Sequence, residues 1–332
     1  MTTSPDHQEL RLHVRQIRWE ADDVISLQLS REDGAELPPW QPGAHLEVRL
    51  PSGLLRQYSL CGDPRDRRSY TIAVLRAQPG RGGSGEIHDT ALVGRQLSVR
   101  GPRNHFPLQP APSYVFIAGG IGITPILAMA REATVRRVPW TLHYGGRSAR
   151  SMAFTGDIGA LAREAGAPVA VLPEEHHGLL PLNDIVVAAD TGAAVYACGP
   201  SPMLAALDEA VAHHRPGISL HTELFTAPAT TPGTAQEDAP DRHEREFTVV
   251  LARTGETVGV SDGTTILEAV RPLRPEVPFS CEEGFCGTCD TKVLDGRPVH
   301  RDTVLTEADR ASGSSMMICV GSCASDELVL DL

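Results

Sequence analysis

No apolar run in this 332-residue chain is long and continuous enough for a typical spanning helix. Tyr114 to Ala130 comes nearest, but Gly119, Gly120, Gly122 and Pro125 break it in the middle. It therefore predicts a buried strand, a glycine turn and a packed helix, with no membrane segment. The opening residues M-T-T-S-P-D-H-Q-E-L have neither the basic start nor the apolar stretch of a secretory leader. Positive charge is in short supply: 30 Lys and Arg against 42 Asp and Glu leave a net charge of −12. That balance disfavours nucleic acid and anionic membrane surfaces, and it is compatible with docking onto a protein that has a basic patch. Internal repeats are absent, and no serine, histidine and acid combination suggests hydrolysis. No C-x-H pair occurs, which argues against a cluster with histidines on one iron.

What is present suits a globular protein of two or three domains, with 41% hydrophobic and 22% charged residues. Seven cysteines, four of them in one motif, point to a reducing cytoplasm and not to a disulfide framework. That motif is S-C-E-E-G-F-C-G-T-C-D, holding Cys281, Cys286 and Cys289, with Cys319 following in M-M-I-C-V. C-x4-C-x2-C with a distant fourth cysteine is the plant-type spacing for a 2Fe–2S cluster. Three thiolates must converge from one loop, so the loop needs turns and small residues, here Gly284, Gly287 and Thr288. A structural zinc site is the alternative, but zinc knuckles favour two C-x2-C pairs. Cys323, in C-V-G-S-C, is a second candidate for the fourth ligand; the spacing and the I-C-V context favour Cys319.

Three blocks and a linker organise the chain. Residues 1–109 hold short alternating runs at 11–17, 24–30, 45–50, 56–60, 70–75 and 96–100, as in a small antiparallel β-barrel. Residues 110–226 alternate apolar strands at 114–118, 140–144, 169–172, 194–198 and 218–223 with Ala- and Leu-rich helices, the pattern of a parallel α/β sheet. Residues 227–246 are rich in Pro, Thr, Ala and charge and read as a linker. Residues 247–332 predict a hairpin around Thr254-Gly255, a short helix over 265–270, the cysteine loop and a strand at 291–294, which suits a β-grasp ferredoxin domain.

Two strand ends in the middle block carry glycine turns. The first runs into G-G-I-G-I-T-P, where Gly119, Gly120 and Gly122 let the backbone approach a pyrophosphate, with Thr124 as the expected helix cap and Pro125 at the first helical position. The second ends in C-G-P-S-P-M, with Cys198, Gly199 and Pro200. Alone, either is an ordinary tight turn; two in one parallel sheet build a dinucleotide cleft at its carboxyl edge. In the barrel block, R-Q-Y-S-L offers Arg56 for a phosphate, Tyr58 for a flavin ring and Ser59 for the reactive nitrogen. An ordinary edge strand is the simpler reading of those residues by themselves. P-G-R-G-G-S-G-E-I-H (79–88) is a glycine-rich loop opening a helix, either a phosphate cradle or a surface loop. Cys61 reads as barrel packing, and the pairs His176-His177 and His213-His214 as solvated positions without a third metal ligand.

The order R-x-Y-S, G-R-G-G-S, G-P-R-N-x-F, G-G-I-G-I-T-P, C-G-P, E-L-F and a C-terminal cluster loop resembles the phthalate dioxygenase reductase family, to which vanillate demethylase reductase components are close. The resemblance spans essentially the whole chain. It implies a ferredoxin–NADP reductase-like core carrying FMN, fused to a ferredoxin. By position it implies flavin contacts from Arg56, Gln57, Tyr58, Ser59, the Ala73–Val74–Leu75 strand, and Gly82, Gly83 and Ser84 at the phosphate. It also implies Thr124 near nicotinamide and flavin, Phe225 over a flavin face, and Cys198 close to the nicotinamide. The family often has an arginine soon after the last cluster cysteine, and this chain does not.

Electron counting gives the expected function. Nicotinamide delivers two electrons at once and the cluster takes one, so a flavin between them must divide the pair. The chain then reads as an NADH-dependent reductase for another protein: a Rieske-type terminal oxygenase acting in aromatic hydroxylation or demethylation, or alternatively a haem-thiolate monooxygenase. A non-catalytic redox sensor is the rival of another class. Resemblance favours NADH, although Arg147 and Arg150, after the second strand of the nucleotide block, are cations that a 2′-phosphate would need.

Overall fold

Alternating apolar residues in the first block become six strands: β1 (Glu9–Ala21), β2 (Val24–Ser30), β3 (Ala44–Arg49), β4 (Leu55–Ser59), β5 (Tyr70–Leu75) and, after helix α1 (Gly83–Asp89), β6 (Gln96–Asn104). This computed structural model describes residues 9–76, 83–225, 246–261, 263–279, 284, 287–302 and 304–332. The predicted linker lies almost wholly outside them, as do Gly82, Cys281 and Cys286. The six strands pair antiparallel in the order β4-β3-β6-β1-β2-β5, and a bridge from Leu60 to Ile72 joins the two edges. Side chains such as Leu12, Leu27, Leu46 and Val99 fill the interior, each contributing about 2 kcal/mol by leaving water.

The second block builds β7 (Tyr114–Gly119), α2 (Ile123–Arg136), β8 (Trp140–Gly146), α3 (Thr155–Ala165), β9 (Val169–Pro173), α4 (Glu174–His177), α5 (Leu182–Ala188), β10 (Ala194–Gly199), α6 (Ser201–His214) and β11 (Ser219–Leu224). The sheet is parallel, in the order β11-β10-β7-β8-β9. The chain moves outward from β7 to β9, then returns to lay β10 on the other side of β7. The strand order therefore reverses between β7 and β10, and the carboxyl ends at such a reversal are where open α/β sheets bind ligands.

One expectation fails here. Thr124 does not cap α2: the helix begins at Ile123 with Gly122 at its cap position and no side-chain cap bond. Thr124 is already helical, and its hydroxyl donates to the Ile121 carbonyl at 3.0 Å. The reason is packing. A Cβ on Gly122 would lie 2.1 Å from the Cys198 carbonyl oxygen, so only glycine lets the chain turn against β10 and start the helix ahead of the Thr-Pro signal.

Barrel and parallel sheet share one apolar core, in which Ala21, Val24, Cys61 and Phe106 pack with Phe116, Ile126, Met129 and Tyr196. Cys61 is thus part of the join between them. Polar ties reinforce that join. Arg131 on α2 donates to the Cys61 carbonyl and, at 3.2 Å, to Asp157. Arg150 pairs with Asp22 at 2.9 Å, where the Asp22 N–H also donates to the Arg150 carbonyl.

The chain divides into two compact units, Met1–Thr226 and Ala227–Leu332. The second contains β12 (Phe247–Leu251), β13 (Glu256–Val260), α7 (Ile266–Val270), β14 (Asp290–Asp295), β15 (Pro298–Val299), α8 (Glu307–Ser312), β16 (Ser315–Met317), β17 (Ser322–Cys323) and β18 (Glu327–Leu330). Its main sheet runs β13-β12-β18-β14-β16, with β12 and β18 parallel and the other pairs antiparallel. Helix α7 starts with a capping box: Thr265 accepts from the Glu268 N–H, and Glu268 accepts from the Thr265 N–H. Among the described residues no helix is long and apolar enough to cross a membrane.

Candidate functional site

The switch-point crevice is built from backbone. Gly119 ends β7 and Gly199 ends β10, and a Cβ on Gly199 would come 3.1 Å from the Gly119 Cα. A Cβ on Gly119 would reach 2.7 Å from Pro200 Cδ. Gly120 has φ +55 and open space where a side chain would be. This is a cradle with its side chains removed, which fits the close approach of a pyrophosphate.

Barrel strand β5 packs against the Gly120–Gly122 turn, and Leu75, Ile121 and Phe225 all pack against the shared core. The expected flavin strand thus meets the glycine turn, and Phe225 packs on the same core. Val74 is fully buried in the barrel core, so only its backbone is available there; its carbonyl lies 3.0 Å from His88 Nε2.

R-Q-Y-S addresses two faces. In the β3–β4 register Arg56 opposes Val48 and Tyr58 opposes Leu46, while Gln57 opposes Glu47 and Ser59 opposes His45. Tyr58 packs on the barrel core, and burial raises its hydroxyl pKa. Arg56 lies across the start of α1: a Cβ on Gly83 would fall 2.6 Å from Arg56 Nε. Glycine there lets the guanidinium close over the beginning of the helix, next to Ser84, an arrangement that fits a phosphate.

Two acids lie side by side on neighbouring strands of the parallel sheet. Cys198 on β10 opposes Glu223 on β11. Cys198 is fully buried, and burial followed by the Glu223 charge pushes its thiol well above the ordinary value. Glu223 Oε2 is buried without a hydrogen-bond partner, and burial pushes the carboxyl up to about 8. Sequence reading used Glu223 only as a letter of E-L-F; its alternation on a strand beside Cys198 was the available signal. His45, opposite Ser59, was missed altogether. The signal was G-A-H-L-E-V, where a histidine and a glutamate share one face of a strand whose other face is apolar.

In the second unit Cys289 and Cys319 are each 2% exposed and belong to its core. The Ile318 N–H donates to the Cys289 carbonyl at 3.5 Å, which brings the segments bearing both thiols together. Gly284 and Gly287 have φ of +76 and +73, so the loop turns where only glycine turns easily. The Cys323 sulfur lies 3.1 Å from Ser325 Oγ and takes the Ser325 N–H at 3.4 Å. The buried thiols fit a thiolate-held cluster.

Comparison with known proteins follows the same division into units. Residues 249–323 match the 2Fe-2S iron-sulfur cluster binding domain. The chain is 43% identical over 324 residues to phenoxybenzoate dioxygenase subunit beta of Ectopseudomonas oleovorans, covering 97% of each. The solved structure of phthalate dioxygenase reductase, described as modular for electron transfer from pyridine nucleotides to [2Fe-2S], aligns with a TM-score of 0.72 and 35% identity over 99% of this chain and 100% of that one. An intact type IV self-sufficient cytochrome P450 monooxygenase aligns with a TM-score of 0.81 and 42% identity, covering 98% of this chain and spanning 41% of its own. With barrel, parallel sheet and cluster domain all matched in sequence, the chain is an oxidoreductase of the phthalate dioxygenase reductase family.

Proposed function

We propose that this protein is the cytoplasmic reductase component of a multicomponent oxygenase, passing electrons from NADH to a Rieske-type terminal oxygenase that hydroxylates or demethylates an aromatic substrate. Its redox groups are NADH, FMN and a 2Fe–2S cluster. One observation carries the reading: the barrel strand β5 packs against the Gly120–Gly122 turn at the switch point of the parallel sheet, in a chain that also carries a cluster domain. When bound, the flavin accepts a hydride and releases its electrons singly.

The residues divide the work. Arg56, with Gly82, Gly83 and Ser84, holds the FMN phosphate. Gln57, Tyr58, Ser59 and the backbone of Ala73, Val74 and Leu75 hold the ring system, and Phe225 shields the face where nicotinamide enters. Gly119, Gly120, Gly122, Gly199 and Pro200 receive the nucleotide, with Thr124 and Cys198 at its reactive end. Cys281, Cys286, Cys289 and Cys319 ligate the cluster; the cysteine spacing favours Cys319 over Cys323. NADH is the donor, because Arg150 is tied to Asp22 and the Glu175 carboxylate accepts from the Ala149 N–H at 3.0 Å, placing negative charge in the G-G-R-S-A-R segment.

Cofactor analysis of the purified protein, with steady NADH-driven reduction of cytochrome c, tests the reading. Flavin released as FAD, zinc in place of iron, or no turnover would each reject it. The long alignment with a self-sufficient P450 chain supports a second reading, a haem-thiolate acceptor. Assaying reduction of both partner types separates the two.

A further inference from the structure

On β3 and β4, two polar side chains face each other, each with a buried atom that has no hydrogen-bond partner among the described residues. His45 and Ser59 are registered partners, so both leave the same face of the sheet with Cβ atoms about 5 Å apart. His45 is 6% exposed and Ser59 is 3% exposed. His45 Nε2 and Ser59 Oγ are both buried without a hydrogen-bond partner among the described residues. A buried polar atom left without a bond costs about 1–3 kcal/mol, so each atom of the registered pair calls for a partner, and the two are within reach of each other or of one shared water. The buried acid of that face, Glu47, has Arg100 at 3.5 Å on Oε1, and its Oε2 is also buried without a partner among the described residues. The His45 ring stacks on His105, with centroids 5.4 Å apart and planes at 24°. Burial first, then the charges of His105 and Arg103, pushes His45 down to about 3. The ring is therefore neutral near pH 7 and offers one N–H and one bare nitrogen.

We propose that His45 is a positioning residue for Ser59: imidazole and hydroxyl share a hydrogen bond, direct or through one water, that fixes where the Ser59 oxygen points during hydride transfer. This rests on the reading that puts Ser59 beside the nitrogen that accepts the hydride. Such a nitrogen changes from hydrogen-bond acceptor to N–H donor, so a hydroxyl next to it must reverse direction. It can reverse without losing a bond only if its other neighbour can both give and take. A bridging water does both, a neutral imidazole does both at one nitrogen by shifting its proton to and from the other, and an aliphatic side chain does neither.

The test is a double-mutant cycle in the holoenzyme, reading the rate at which NADH bleaches bound flavin, the KM for NADH and the flavin content. His45→Leu is expected to slow hydride transfer about tenfold, with KM and flavin content unchanged. His45→Gln, still able to bond, should stay within about threefold of the parent, and it serves in place of the leucine variant if that one fails to fold. In the Ser59→Ala background the His45 substitutions should cost nothing more, because the group through which they act is gone. Equal slowing by His45→Leu in both backgrounds overturns the proposal, as does no slowing at all beside a slow Ser59→Ala. A Ser59→Ala variant that transfers hydride at the parent rate overturns instead the placement of Ser59 at the flavin.

Discussion

The switch-point crevice and the cluster domain both collect ligands at strand ends, but from different materials. At β7 and β10 the material is backbone: Gly119 and Gly199 are glycines because a Cβ would strike the neighbouring strand end. That cradle is complete once the parallel sheet and the shared core with the barrel have formed. In the second unit the material is side chains, with Cys289 and Cys319 buried in the domain's own core. Buried thiolates repel and are costly to desolvate unless a metal holds them, so that site is finished only with its metal. A backbone site precedes its ligand, whereas a thiolate site is completed by it.

Removing one thiolate is the hardest test of this contrast. Cys289→Ser should abolish nearly all cluster absorption and lower the melting transition of the second unit, while NADH still bleaches flavin in the first at an unchanged rate. Loss of flavin reduction in this variant would show that the units are not independent in the sense drawn here. Cys319→Ser should behave alike, and Cys323→Ser should keep its cluster.

The converse experiment uses Gly122. Its Cβ would lie 2.1 Å from the Cys198 oxygen and 2.9 Å from the Gly199 nitrogen, both backbone atoms with nowhere to go. Gly122→Ala should cost about 3 kcal/mol, seen in denaturant midpoints, and weaken NADH binding with the cluster spectrum intact. Gly34→Ala, with nothing within 4 Å but φ +67, should cost only about 1 kcal/mol of backbone strain. Equal costs would mean that the close approach is not what requires glycine.

The contrast also explains what the sequence could reveal. Thiolate ligands are spelled in letters, and the C-x4-C-x2-C spacing carries its chemistry openly. Regular strands were nearly as plain: β2, β5 and β12 begin and end where alternation starts and stops. The backbone cradle was harder. Glycine says only that a side chain is absent, and the start of α2 went to Gly122 because of a neighbour about eighty residues away, which no local cap signal reports. His45 and Glu223 were opaque for the same reason. Their significance lies in what faces them across a strand pair, not in the residues beside them in sequence.

Glu223, beside Cys198 in the parallel sheet, gives the first unit a pH signature. Burial lifts it from 4.5 to about 8, so the folded chain binds its proton more tightly than the unfolded chain does. That contribution is complete below about pH 4.5, shrinks as pH rises, and is gone above about 8. Melting of the first unit should therefore fall across pH 5–8, and Glu223→Gln should flatten that slope. A slope that survives the substitution would place the titration elsewhere.

Within the first unit, Arg131 tests how far the cradle depends on the barrel. Its guanidinium spans the join, bonding the Cys61 carbonyl and Asp157. Arg131→Ala should destabilise the unit by about 2 kcal/mol and slow flavin reduction without raising the KM for NADH, since the nucleotide cradle itself is untouched. A raised KM with normal flavin reduction would reverse that division.

Arg150 should matter least, and for a reason that bears on the donor. It follows β8, where a 2′-phosphate would seek a cation, but it is 83% exposed at the side chain and already turned to Asp22. Exposed pairs of this kind contribute little to stability, and a guanidinium held by a carboxylate offers a phosphate little net charge. Glu175, bonded to the Ala149 N–H, adds a negative charge that a 2′-phosphate would have to approach. Arg150→Ala should therefore leave the ratio of kcat/KM for NADPH over NADH within about twofold of the parent. A drop of about tenfold confined to NADPH, equivalent to about 1.4 kcal/mol of transition-state binding, would show that Arg150 leaves Asp22 to bind the phosphate. The crevice would then select its nucleotide with a side chain after all.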